Sequence, residues 1–292
     1  MPNPSPNQPQ IDYWNGPAAQ RWVREQTQLD RVWTPLDELA MRRAAPTPGE
    51  RVVDLGCGCG GSSLLLADRV GPSGSVLGID VSTPMLAHAR QRGQARPNIT
   101  WCEADAAQHV FAGEADLLYS RLGSMFFVDP PTAFRHLRTA LRPGGRLCLV
   151  AWRAPAQNPW YTVPMQAAAP LLPPAAATPR DAPGPFAFAS ADRIHEILHA
   201  AGFMQIDIAA EDPTLCMSTT GMADAVEFAL NAGPVARLLL GTDATTTARV
   251  RTAVEAALAD YLDGECVSLG AAIWIVTARV ELRATASTGN GN

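Results

Sequence analysis

Between Val52 and Gly61 the chain reads Val-Val-Asp-Leu-Gly-Cys-Gly-Cys-Gly-Gly, an acid followed by four glycines. Val52, Val53 and Leu55 around Asp54 predict a short buried strand, and Ser62 to Val70 predicts a helix. A strand, a glycine turn and a helix start bring backbone N–H groups up to a ligand. Glycine is needed where a Cβ would block a positive-φ turn or the ligand's approach. An ordinary βα turn needs only one or two glycines, so four point to a ligand. Gly56, Gly58 and Gly61 satisfy G-x-G-x-x-G, and Asp80 lies about 20 residues on, the spacing of a dinucleotide site. Asp54 argues against a dinucleotide, because a carboxylate beside a pyrophosphate is repelled and one facing an ammonium group is attracted.

S-adenosylmethionine carries an α-amino group and a sulfonium and has no phosphate. The chain resembles the class I S-adenosylmethionine-dependent methyltransferases, whose first motif is an acid followed by G-x-G-x-G. The resemblance runs on to the Leu-x-Pro-Gly-Gly turn at Leu141–Gly145. It implies cofactor contacts from Asp54, Gly56, Cys57, Gly58 and Gly60. Asp80 would take the ribose hydroxyls, since a carboxylate accepts two hydrogen bonds from a vicinal diol. Val81 and Met85 would supply apolar contacts to the adenine. Asp105, with Ala106 beside it, would accept from the adenine N6 amino group. Ser120 and Arg121 would face the sulfur and the methyl group. The closest motif likeness, Ser-Arg-x-x-x-Met-Phe-Phe-x-Asp-Pro from Ser120, is to bacterial small-molecule enzymes of quinone-type and specialised metabolism.

Strands are expected at Ser75–Asp80, Ile99–Glu103, Ala115–Tyr119, Leu147–Trp152 and Phe203–Ala210, with a long final strand from Val267 to Leu282. Alternating strand and helix patterns predict an α/β chain. The resemblance makes it a Rossmann-like, mostly parallel seven-stranded sheet with helices on both faces, a helical N-terminal lid and cap insertions. The expected divisions are a disordered start (1–10), a lid (11–50), the cofactor-binding core (51–153) and a cap insertion (154–189). The core then returns (190–211), followed by a helical cap (212–266), the final core strand (267–282) and a disordered tail (283–292). Tyr13 and Trp14 are lid candidates, and a lid excludes water from a sulfonium donor. With Met125, Phe126 and Trp160 they are the candidate acceptor contacts, whereas Trp33 is expected in the core.

Hydrophobic residues make up 47% and charged ones 17% of the 292 residues, which suits a globular enzyme. A net charge of −5 gives no electrostatic case for a nucleic-acid partner. The chain has no lysine, which excludes Schiff-base catalysis, a Walker lysine and a Tyr-x-x-x-Lys dehydrogenase pair. No window reaches the ~18 apolar residues of a membrane span, and the start has no signal-peptide pattern. The six cysteines are expected as reduced thiols in a cytoplasmic protein, with no zinc spacing and no metal site. A homodimer is left open.

The expected reaction is in-line methyl transfer from S-adenosylmethionine to a small, apolar or aromatic metabolite. Positioning and desolvation supply the catalysis. His109, His136, His195, His199, Tyr13 and Tyr161 could each serve as a base, and the sequence selects none. Three alternatives stand beside this reading: a regulatory protein that binds the cofactor without turnover, a nicotinamide oxidoreductase, and thiolate-based metalloid methylation.

Overall fold

The computed structural model describes residues 5–174, 179, 182–218 and 220–282. Ten strands follow in chain order: β1 (Arg51–Leu55), β2 (Ser75–Asp80), β3 (Ile99–Glu103), β4 (Ala115–Arg121), β5 (Leu141–Trp152), β6 (Met204–Glu211), β7 (Thr214–Cys216), β8 (Leu262–Asp263), β9 (Cys266–Gly270) and β10 (Ile273–Arg279). Seven of them form one sheet in the order β3-β2-β1-β4-β5-β10-β6. The first five pair in parallel, and β10 runs antiparallel to both β5 and β6. The central strands β1 and β4 are buried along almost their whole length, which is why they read as apolar runs. The order reverses between β1 and β4, the place where open α/β sheets bind ligands beyond the strands' carboxyl ends.

The helices are α1 (Gln8–Asn15), α2 (Pro17–Arg24), α3 (Gln26–Ala44), α4 (Gly61–Val70), α5 (Thr83–Arg92), α6 (Pro130–Leu137), α7 (Pro159–Ala168), α8 (Ala191–Ala200), α9 (Met222–Asn231) and α10 (Ala244–Leu258). Ser82 caps α5 through the Met85 N–H and is followed by Thr83-Pro84, as the sequence predicts. Gly202 ends α8 at φ +85°. The buried stripe of α3 (Leu29, Val32, Trp33, Leu36, Ala40, Met41) lies on the sheet, and Trp33 packs with Trp152, Trp160 and Phe228. Trp33 is thus a core residue, as expected.

Five expectations need correction. The disordered start expected over 1–10 does not hold for residues 5–10, where Ser5 and Asn7 are hydrogen-bonded into the fold and α1 begins at Gln8. The long final strand is two strands in different sheets. After β9, Ala271 N–H bonds to Pro213 O and Ala272 N–H to Asn158 Oδ1, and these contacts carry the chain from one sheet to the other. The second cap therefore includes β9, which pairs with β7 and β8. The Leu-x-Pro-Gly-Gly segment was expected as a turn before strand five. It is instead a bulge inside β5, with Arg142 to Gly145 looping out opposite Asp116. Finally, Cys216 and Cys266 form a disulfide. Antiparallel pairing of β7 with β9 brings their Cα atoms to 5.7 Å, a bridging distance that a separation of 50 residues concealed. Cys57, Cys59, Cys102 and Cys148 are free. Residues 1–4 and the expected tail at 283–292 lie outside the described residues.

Candidate functional site

The glycine loop after β1 is shaped by its neighbours on every side. Gly56 has φ +65°, and a Cβ there would stand 2.8 Å from Gly123 Cα, so the loops after β1 and β4 touch backbone to backbone. At Gly60, φ is +83° and a Cβ would meet the Trp101 ring at 2.6 Å. At Gly61 a Cβ would meet Asp30 Oδ1 of α3, also at 2.6 Å. Gly58, at φ +52°, has only the Met85 methyl nearby, at 3.2 Å. Two of the glycines thus serve packing against Trp101 and α3, and Gly58 has the most open surroundings of the four. Burial pushes the Cys57 thiol well above its ordinary range and that of Cys59 up to about 12. Neither is a thiolate at neutral pH, so neither is primed for metalloid chemistry.

Three carboxylates stand at or near the ends of β1, β2 and β3, each in a different state. Asp54 is fully buried and accepts from the hydroxyls of Ser62 (2.7 Å) and Ser63 (2.6 Å) at the start of α4. Its other oxygen, Oδ1, has no partner among the described residues. Burial raises its pKa to about 6 against the pull of the two serines. Asp80 accepts one backbone N–H on each oxygen, from Gly58 and Ser82, both at 2.8 Å. The glycine loop and the cap of α5 therefore fix its orientation and leave acceptor capacity on both oxygens. Asp105 accepts from Ala107 N–H at 3.0 Å, from Ser5 Oγ at 2.6 Å, and from Asn7 Nδ2 at 3.1 Å on both oxygens.

The remaining predicted contacts divide. Val81 is half-buried, and its carbonyl accepts from Asn15 Nδ2 at 2.9 Å. Met85 packs with Ala19 of α2 and Cys59 of the loop, beside Trp14, Trp22 and Val23. Ala106 is buried beside Asp105. Ser120 is buried and donates to Leu55 O at 2.9 Å, so its hydroxyl ties β4 to β1 and does not project into the crevice. Arg121 turns towards α3 and pairs with Asp37 at 2.5 Å, both side chains being 10% exposed. Neighbouring carboxylates hold the guanidinium charged in spite of its burial. Ser120 and Arg121 thus support the floor of the site.

Of the acceptor candidates, Tyr13 and Trp14 stand on α1, and Trp14 meets Phe126 edge-on at 5.2 Å. In the Met-Phe-Phe run only Phe126 turns to the lid; Met125 and Phe127 are buried in the core. Trp160 is also a core residue, its indole N–H bonded to Asn158 Oδ1 at 3.0 Å between Trp33 and Trp152. It was expected to face the acceptor. The neighbouring Tyr161, which meets Phe186 edge-on at 4.8 Å, occupies the outer position instead. His136 is fixed by His109 O at 2.7 Å. The sequence reading missed Ser5, Asn7 and Asn15, whose partners lie far along the chain. It also missed Asp30 and Asp37, which sit on an otherwise ordinary amphipathic helix.

An unpaired buried carboxylate oxygen beneath a glycine loop and an oriented acid with acceptor capacity beside it suit a ribonucleoside that carries an ammonium group. They do not suit a pyrophosphate.

Residues 52–145 match the family model described as "Methyltransferase domain". A 2-phytyl-1,4-naphtoquinone methyltransferase of Trichormus variabilis is 32% identical over 136 residues, covering 45% of this chain and 58% of that protein. Nocamycin O-methyltransferase of Saccharothrix syringae is 32% identical over 180 residues, covering 57% of this chain and 64% of that protein. The chain thus spans under two thirds of the length of either relative. Among solved structures, Haemonchus contortus phosphoethanolamine N-methyltransferase 2, in complex with phosphomonomethylethanolamine and S-adenosylhomocysteine, superposes with a TM-score of 0.57. That likeness is at 17% identity, covers 97% of this chain and 62% of the other, and speaks for the fold. Residues 52–145 therefore match a methyltransferase-domain family, and the chain as a whole shares its fold with a solved methyltransferase.

Proposed function

We propose that this protein transfers a methyl group from S-adenosylmethionine to a small, apolar or aromatic metabolite. The observation that carries this reading is Asp80, held by the Gly58 and Ser82 N–H groups with acceptor capacity left on both oxygens. In this reading Asp80 binds the ribose diol, and the unpaired Oδ1 of Asp54 faces the ammonium group. When bound, the cofactor supplies a methyl carbon activated for in-line displacement by the adjacent sulfonium. The chain's own part is to hold that carbon in line with the acceptor and to keep water away.

The aromatic groups Tyr13–Trp14–Phe126 and Tyr161–Phe186 favour an acceptor with a flat apolar body. Arg237, whose guanidinium lies 5.7 Å from the Tyr13 ring, is a cation beside the first of these groups. The naphtoquinone named for the Trichormus variabilis relative agrees with such an acceptor. No helix among the described residues is long and apolar enough to cross a membrane. The sequence leads to the expectation of a cytoplasmic setting. The Cys216–Cys266 bond runs against it, because cytosolic pools keep thiols reduced.

The test is turnover. Purified protein with methyl-labelled S-adenosylmethionine and a panel of quinols, phenols and indoles is expected to release S-adenosylhomocysteine only when an acceptor is present. Tight cofactor binding with no acceptor-dependent release across the panel would favour a binding protein over an enzyme.

A further inference from the structure

Asp105 is the acid assigned to the adenine amino group, and the protein's own N-terminal segment already occupies it. A carboxylate offers about four acceptor positions. Ala107 N–H takes one on Oδ1, Ser5 Oγ takes one on Oδ2, and the Asn7 amide reaches both oxygens. Gln108 Nε2 stands a further 3.4 Å from Oδ2. No position remains for another donor, so an adenine amino group can bind Asp105 only if Ser5 or Asn7 withdraws.

The Asn7 side chain also has the chemistry of the group it excludes. Its Nδ2 donates to Asp105 while its Oδ1 accepts the Val128 N–H at 3.0 Å. A carboxylate cannot donate and an N–H cannot accept, so the amide orientation is fixed by its partners. The carboxamide thereby presents an N–H donor beside an acceptor, the same pair that adenine presents with its N6 amino group and N1. Asn7 is 7% exposed, so this is a buried contact of the kind a ligand makes. The far end of α1 is held separately. Asn15 donates to Val81 O at 2.9 Å and accepts the Thr83 N–H at 3.0 Å, which lays the helix across the adenine side of the crevice.

We propose that Ser5 and Asn7 form an intramolecular latch that occupies the adenine position on Asp105, and that cofactor binding requires its release. The proposal rests on the cofactor reading above and adds to it a competition between the chain and its ligand. Gly16, between α1 and α2, is the joint about which the segment would swing. A binding-competent state that is only fractionally populated weakens apparent affinity by that fraction, so breaking the latch should tighten binding.

The experiment compares the wild type with a Ser5→Ala/Asn7→Ala variant, using S-adenosylhomocysteine as the probe. Affinity is measured by calorimetry, and exposure of residues 5–15 by hydrogen exchange with and without the probe. The expected result is about tenfold tighter binding by the variant, the size of losing a few charge-assisted hydrogen bonds from the closed state. In the wild type, exchange in residues 5–15 and at the Val128 amide should rise when the probe binds. Weaker or unchanged binding by the variant, or residues 5–15 gaining protection with the probe, would overturn the latch while leaving the cofactor reading intact. If neither protein bound the probe, the cofactor reading would fail and the latch with it.

Discussion

Asp80 and Asp105 stand at neighbouring strand ends of one crevice and are held in opposite ways. Asp80 is gripped by backbone N–H groups from the glycine loop and the α5 cap, which no rotamer change can withdraw. Asp105 is saturated largely by side chains of a terminal segment about a hundred residues away, which can let go. The same residue type after a strand thus makes a permanent, open acceptor in one place and a reversibly blocked one in the other. Backbone donors preorganise a site for a ligand, whereas side-chain donors from a lid compete with it.

The largest effect is expected beside Asp54, where Arg121 and Asp37 pair out of water. Removing one partner of a buried pair leaves an uncompensated charge, so Asp37→Ala should cost about 3–5 kcal/mol of stability. Denaturant unfolding measures this, and a loss under 1 kcal/mol would mean that the pair is better solvated than its burial implies. Next comes the open acid. Asp80→Ala removes two charge-assisted hydrogen bonds to the ribose and should weaken S-adenosylhomocysteine about 100-fold. The contrast with Asp105 predicts a much smaller loss for Asp105→Ala, because that change also frees the latch. Equal losses at the two positions would erase the distinction.

The Cys216–Cys266 bond closes a loop that carries α9 and α10. Cys216→Ser should lower stability by about 2–4 kcal/mol, read as a fall in Tm that reducing agent reproduces in the wild type. If reducing agent left the wild-type Tm unchanged, the bond would not be closed in solution.

A smaller effect concerns pH. The Asp54 carboxyl is raised from 3.8 to about 6 by burial, so the folded state binds a proton more readily than the unfolded one. The cost of burying its charge is therefore fully present above about pH 6 and disappears below 3.8. An ammonium group needs the charged form, so affinity for S-adenosylhomocysteine should fall as pH drops through about 6. The same titration on Asp54→Asn should be flat over that range. A flat wild-type profile would remove the ammonium from the vicinity of Asp54.

Much of this was legible in the sequence because it is local. The strand around Asp54, the glycine loop, the Ser82 cap and the acids at 80 and 105 are patterns confined to a few residues. What escaped depends on distant partners. Ser5 and Asn7 lie in a proline- and asparagine-rich stretch with no periodicity, and their role exists only through Asp105 and Val128. Trp160 looked like a pocket aromatic until Trp33 and Trp152 closed around it. The apolar run from Val267 onwards gave no sign that Ala271 and Ala272 would pass it from one sheet to another, since both halves are equally good strand.

The central claim is that this crevice binds S-adenosylmethionine, and calorimetric titration with S-adenosylhomocysteine, with NADH and NADPH run in parallel, tests it most directly. The account predicts micromolar binding of S-adenosylhomocysteine alone, lost in Asp80→Ala. Binding of a nicotinamide nucleotide in its place would contradict it and reassign Asp54 from an ammonium partner to a structural acid beneath a phosphate-binding loop.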